Sequence, residues 1–328
     1  MLPSDSILRR SLKRLRSKAL TYTLGLALAL SWALVPLSHA QETKMVSVFS
    51  YNGARQENTV EVPQNPERVV VIDYAVLDIM AKLGLSSKIV GSAKGVAPQY
   101  LQSIVNNPEI ANVGTVKAVD YEALMALEPE VIFIGGRLAA QYDKLSAIAP
   151  VVFLAVDYEQ PLIESVKRST DVIATIFGQE QAAGEMLAGY EQRIAALKEK
   201  AQGQSVLIGM VNASQFKTMG NHGRCAFIGQ DIGLNNLAAD LSSNHGNESS
   251  FELLVKLNPD YLFVLDRDSA IGTNGAKLAR DVMDNELVHK TKAYQEGKIF
   301  YLNSAVWYLS EGGLSALDYM LQDLEAAF

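Results

Sequence analysis

Tyr121-Glu-Ala-Leu-Met-Ala-Leu-Glu-Pro-Glu-Val-Ile-Phe-Ile-Gly-Gly-Arg137 and Phe251-Glu-Leu-Leu-Val-Lys-Leu-Asn-Pro-Asp-Tyr-Leu-Phe-Val-Leu-Asp-Arg267 are two copies of one pattern. At a constant offset of 130, Glu122/Glu252, Leu124/Leu254, Leu127/Leu257, Pro129/Pro259, Phe133/Phe263 and Arg137/Arg267 are identical pairs, with no gap between them. Each copy reads as a helix, a proline turn and a strand that ends in arginine. A period this long is no solenoid repeat; it describes two related domains facing each other across a cleft.

Working outward, the same alternation continues. Arg68–Ile72 reads as a buried strand, Tyr74–Leu83 as a helix closed by Gly84, and Lys88–Gly91 as a further strand. Helices near Pro98–Val105, over Tyr121–Leu127 and over Ala139–Ile148 flank the strands Val131–Ile134 and Val151–Leu154. Strands alternating with helices imply a mostly parallel sheet covered on both faces. Pro161 opens a helix and Gly178 closes it, with Leu162, Ile163, Val166, Thr170, Ile173 and Phe177 at helical spacing. After a second helix, Glu180–Lys200, the pattern restarts with Ser205–Val211 and runs to a C-terminal helix near Leu314–Ala327. The fold class is therefore α/β: two Rossmann-like lobes joined by a single long helix, with a ligand cleft between them. The expected division is a leader at 1–40, an N-terminal lobe at 41–160, a connecting helix at 161–178 and a C-terminal lobe at 179–328.

The leader has its own logic. Arg9, Arg10, Lys13, Arg14, Arg16 and Lys18 precede an apolar run from Ala19 to Leu37 and a small-x-small end, Ser38-His39-Ala40. That layout is a secretory signal cleaved after Ala40. It holds 6 of the 29 basic and 1 of the 36 acidic residues, so the remaining chain has 23 against 35, a formal charge of −12. Such a balance excludes a nucleic-acid partner, since phosphate contacts need a basic surface. The single cysteine, Cys225, allows no internal disulfide, and none near position 40 could carry a lipid. The expected location is the Gram-negative periplasm, for an unlipidated monomer.

Ligands of open α/β sheets bind beyond the carboxyl ends of the strands. Arg137 and Arg267 stand there, one in each lobe, and a guanidinium forks planar oxyanions. Arg224 lies in a glycine-rich turn, Met219-Gly-Asn-His-Gly-Arg-Cys225, expected to link the strand Ser205–Val211 to the next helix. His245 sits in a polar loop before a helix capped by Ser249, with Glu252 three residues on. Tyr308 follows the strand Lys298–Leu302, beside Trp307, for which packing is the simpler role.

Gly135-Gly136-Arg137, Asn258-Pro259-Asp260-Tyr261 through Asp266-Arg267, Asn244-His245-Gly246 and Trp307-Tyr308-Leu309 together resemble the helical-backbone (class III) periplasmic binding proteins for ferric siderophores. The likeness is to the enterobactin- and vibriobactin-type catecholate binders, and it spans nearly all of the chain after the leader. The resemblance implies that Arg137, Arg224 and Arg267 surround an anionic iron–catecholate, and that His245 and Tyr308 can ligate its Fe(III). It also implies a solute-binding role in an ABC importer, docking on a permease through an acid on each lobe. Glu109 and Asp240 are candidates, and Asn235–Asn236 carries no acid. No intrinsic cofactor and no catalytic residue is expected. The alternatives are a haem carrier of the same fold and a periplasmic hydrolase using His222 or His245. Against the latter, the chain has no Gly-x-Ser-x-Gly turn or His-Glu-x-x-His helix, and Cys225 lacks a base.

Overall fold

In a computed structural model of the chain, residues 44–241, 247–248 and 251–328 are described. The expected leader, His245 and the cap Ser249 lie outside the described residues.

An antiparallel hairpin, Met45–Tyr51 with Glu57–Pro63, precedes the first lobe. The first lobe is built on a five-stranded parallel sheet in the order Ala111–Asn112, Ile89–Ser92, Val69–Ile72, Val131–Ile134, Val151–Phe153. Its central strands are buried at every position, as continuous apolar runs in a doubly covered sheet should be. In the second lobe Ser205–Asn212 pairs in parallel with Tyr261–Asp266, which pairs in parallel with Ile299–Tyr301. The duplicated segments thus occupy matching places, each strand beside the first central strand of its lobe. Their turns match too: Glu128 and Asn258, one step before the two prolines, both have left-handed φ, 45° and 42°.

The second lobe departs from the all-parallel expectation. Beyond Ser205–Asn212 the chain reverses at Ala213 and Ser214, with φ of 51° and 58°, and returns as an antiparallel strand, Gln215–Met219. Two left-handed residues in a row are the geometry of a tight hairpin. Three local expectations also change. Ala139–Ile148 is a 3₁₀ turn, Gly136–Gln141, followed by a short helix, Tyr142–Ser146. The segment Pro98–Val105 is likewise a 3₁₀ turn, Gln99–Leu101, running into Gln102–Val105. The stretch carrying Trp307 and Tyr308 is a helix, Ser304–Leu309.

The connecting helix spans Leu162–Phe177, with Pro161 directly before it, and stops where Gly178 turns left-handed at φ 67°. Its first backbone N–H groups, Leu162 and Ile163, donate to Asp231 at 2.9 and 3.0 Å. The C-terminal helix Leu314–Glu325 packs on Tyr74–Lys82 of the first lobe and on Glu180–Ala201. One continuous apolar core accordingly runs through both lobes, with a smaller cluster on the outer side of the second.

Candidate functional site

Where the carboxyl ends of the two central sheets face each other, a cavity of about 250 Å³ opens. Its walls come from the first turn of Tyr74–Lys82, from Gly136 and Arg137, from Ser165 and Ser169 of the connecting helix, and from Arg224, Tyr308 and Glu311. The cavity therefore lies in the cleft that the repeat predicts.

Arg137 reaches it because its strand ends at Ile134 and Gly135 lets the chain turn tightly: a Cβ there would come within 1.9 Å of Asp73 Oδ2. From that turn Arg137 crosses the cleft and its Nη2 donates to the Tyr308 carbonyl at 3.0 Å. Arg224, from the opposite side, donates through Nη1 to the same carbonyl at 3.0 Å and to that of Trp307 at 3.1 Å. Its guanidinium also lies 4.3 Å from the centre of the Tyr308 ring. Two cations from opposite lobes thus meet at one oxygen.

The rest of the expected set is placed as follows. Arg267 opens a short helix, Arg267–Ala270, directly after its strand. It does not line the cavity; it stands behind Tyr308, donating through Nε to the phenol oxygen at 3.0 Å and through Nη1 to Asn212 Oδ1 at 3.0 Å. Asp268 lies 3.8 Å from it. Arg224 is not on a loop between Ser205–Asn212 and a helix, because the antiparallel strand intervenes; its turn follows Gln215–Met219. Trp307 is fully buried, with its indole N–H on Asp323 at 2.8 Å, so its role is packing. Glu109 and Asp240 are exposed. His222 lies on the surface 3.5 Å from Glu159, and Cys225 is buried with its thiol pushed well up by burial, which leaves it unreactive.

Four residues of the site, Glu311, Tyr158, Asp73 and Arg55, escaped sequence reading. Glu311, almost fully buried, faces Arg224 at 3.4 Å and accepts from the Tyr158 hydroxyl at 2.9 Å and the Cys225 amide at 3.3 Å. Burial raises its pKa, and Arg224 and Tyr158 oppose the rise. Asp73 caps the helix Tyr74–Lys82 through Ala75 and Val76. Its pKa too is raised by burial and lowered in part by Arg137. The fourth, Arg55, lines the mouth from the N-terminal hairpin. Only Glu311 carried a visible signal, an acid directly before the glycine pair Gly312-Gly313.

This arrangement offers cations, hydroxyls and an aromatic ring to an oxygen-rich anion. Among the described residues no cluster of three or more His, Cys, Asp or Glu side chains able to hold a metal occurs.

The sequence pattern of periplasmic binding proteins matches residues 69–306. The chain belongs to that family. It is a family of binding proteins, not of enzymes. The petrobactin-binding protein YclQ of Bacillus subtilis is 35% identical over 272 residues, covering 82% of this chain and 84% of its own. The crystal structure of YclQ superposes with a TM-score of 0.81 over 87% of this chain and 98% of its own, at 33% identity. The periplasmic catecholate-siderophore binding protein VctP of Vibrio cholerae superposes with a TM-score of 0.79 over 86% and 100% of the two chains, at 27% identity. The ferric-anguibactin-binding protein FatB of Vibrio anguillarum is 23% identical over 269 residues, 80% of this chain and 83% of its own.

Proposed function

We propose that this chain is the solute-binding component of an ABC importer that captures an anionic Fe(III)–catecholate siderophore in the cleft and delivers it to an inner-membrane permease. One observation carries the reading: Arg137 and Arg224 converge from opposite lobes, with Arg267 one side chain behind. Guanidinium forks suit the planar oxygens of a catecholate. A complex of Fe(III) with three catecholates carries a formal −3, and one with two carries −1 and leaves two coordination positions open. Tyr308, and His245 outside the described residues, are the side chains to fill those positions, because Fe(III) prefers hard oxygen donors and accepts imidazole. The relatives named for petrobactin, catecholate siderophores and ferric anguibactin support the cargo class. Glu109 and Asp240, exposed on the two lobes, serve as docking acids for the permease, and the periplasm is where the two meet.

Neutralising the three arginines together, as Arg137→Gln, Arg224→Gln and Arg267→Gln, tests this. Ferric tris-catecholate binding, read by fluorescence quenching, should be lost while the circular dichroism stays that of the wild type. Unchanged affinity in a folded triple variant would remove the cleft as the site. With Tyr308→Phe, a tetradentate bis-catecholate should lose more affinity than a hexadentate ligand.

A further inference from the structure

Arg55 stands outside the duplicated scaffold, in the connection 52–56 of the N-terminal hairpin. That connection is a built turn. Asn52 Oδ1 accepts from Ala54 and Gln56 at 2.9 and 3.0 Å, and the Asn52 carbonyl accepts from the Arg55 amide at 2.9 Å. Arg55 itself is left-handed, with φ 60°, a conformation that costs a non-glycine residue free energy and persists only where its surroundings impose it. The hairpin is clamped below by Arg168, whose guanidinium lies 5.0 Å from the Phe49 ring and 3.4 Å from Glu57. Its tip abuts the helix after Arg137: a Cβ on Gly53 would come within 3.3 Å of Tyr142. The outcome is that Arg55 Nη2 donates to the Gly136 carbonyl at 2.7 Å and the guanidinium lines the cavity mouth.

An exposed hairpin arginine is ordinarily a solvated charge with no further role. Here the turn and the Gly136 tether hold the head against the cavity. Its charge is also less neutralised than those of Arg224 and Arg267. Glu311 lies 3.4 Å from Arg224 and Asp268 3.8 Å from Arg267, whereas among the described residues no carboxylate lies within 4.0 Å of the Arg55 guanidinium.

We propose that Arg55 is a third cation facing the ligand, beside Arg137 and Arg224, and that it sets the charge preference of the cleft toward a trianionic ferric tris-catecholate over a monoanionic bis-catecholate. This rests on the reading of the cleft as a ferric-catecholate site. The attraction of one fixed charge for a guest scales with the guest's charge, so removing it acts three times as strongly, in free energy, on −3 as on −1.

The test compares the wild type, Arg55→Gln and Arg55→Lys with a ferric hexadentate tris-catecholate and a ferric tetradentate bis-catecholate, by fluorescence titration. Arg55→Gln should weaken the trianion roughly tenfold and the monoanion about twofold, the ratio that linear scaling with charge requires. Arg55→Lys should recover most of the loss. Equal losses for both guests, losses within twofold for both, or a lysine variant as weak as the glutamine one would overturn the proposal. A wild type that binds neither complex would instead remove the site reading, and this inference with it.

Discussion

Arg224 shows how the chain carries a cation inside a dry wall. Its side chain is about nine-tenths covered, and burying a guanidinium costs several kcal/mol unless a counter-charge and hydrogen bonds compensate it. Glu311 is that counter-charge, itself held by Tyr158 and the Cys225 amide. The acid therefore positions the arginine and need not touch the guest. Glu311→Ala should lower stability by about 3 kcal/mol, as expected when one partner of a buried pair is removed. Glu311→Gln, which preserves shape and an acceptor, should cost less. Urea unfolding measures both, and a loss under about 1 kcal/mol for the alanine variant would show the pair to behave like an exposed one. At this scale the sequence displayed the cations and hid what governs them. Arg137 and Arg224 stand out because charge at a strand end or on a glycine-rich turn is conspicuous. Glu311, Tyr158, Asp73 and Arg55 come from four separate stretches, and only folding brings them to one cavity.

Among the elements, the connecting helix shows a charged group at work on backbone. Asp231 receives its first two amides, yet burial raises this carboxyl to about 6, against the pull of Ile163, Leu162 and Lys198. The folded-state value exceeds the ordinary 3.8, so the folded protein holds the proton more tightly than the unfolded chain does. Stability from this group is then fully present below about 3.8 and declines as pH rises through about 6. Asp231→Asn removes that titration. The stability difference between wild type and variant should move in the variant's favour from pH 4 to pH 7, in thermal melts; a difference independent of pH would contradict the assignment. The two duplicated helix–turn–strand units were legible because identical residues recur in register. The antiparallel strand Gln215–Met219 was not, because Ala213-Ser214 lacks the Asn-Gly or Asp-Gly signature of a tight hairpin. The Ser304–Leu309 helix was hidden for another reason: six residues are too few to show a helical period.

The whole molecule is joined more firmly than one helix suggests. Asp78, on the first lobe's Tyr74–Lys82 and fully buried, accepts from Ser315 and Ala316 at the start of the C-terminal helix, at 3.1 and 2.8 Å. It also accepts from Tyr100, whose hydroxyl is 2.9 Å from Ser310. Gly313 permits the approach, since a Cβ there would sit 2.2 Å from Asp78 Oδ2. Asp78 of the first lobe thus caps the C-terminal helix, and Asp231 of the second lobe caps the connecting one. With a shared core as well, both lobes should unfold in one transition, with calorimetric and van 't Hoff enthalpies in agreement. Asp78→Ala should cost about 3 kcal/mol by orphaning two buried backbone amides at a helix start and removing a Tyr100 partner. Two resolved transitions in the wild type would refute this coupling.

The carbonyl of Tyr308 has a consequence of its own. Two guanidinium groups from facing walls each engage it through one nitrogen, which fixes both heads and leaves further N–H groups for an incoming anion. A small, strongly hydrated ion such as chloride gives up its water for little return and offers a single point of contact. A rigid chelate whose oxygens span both walls can take the two arginines together. On the proposed reading, the cleft favours guests broad enough to bridge both walls.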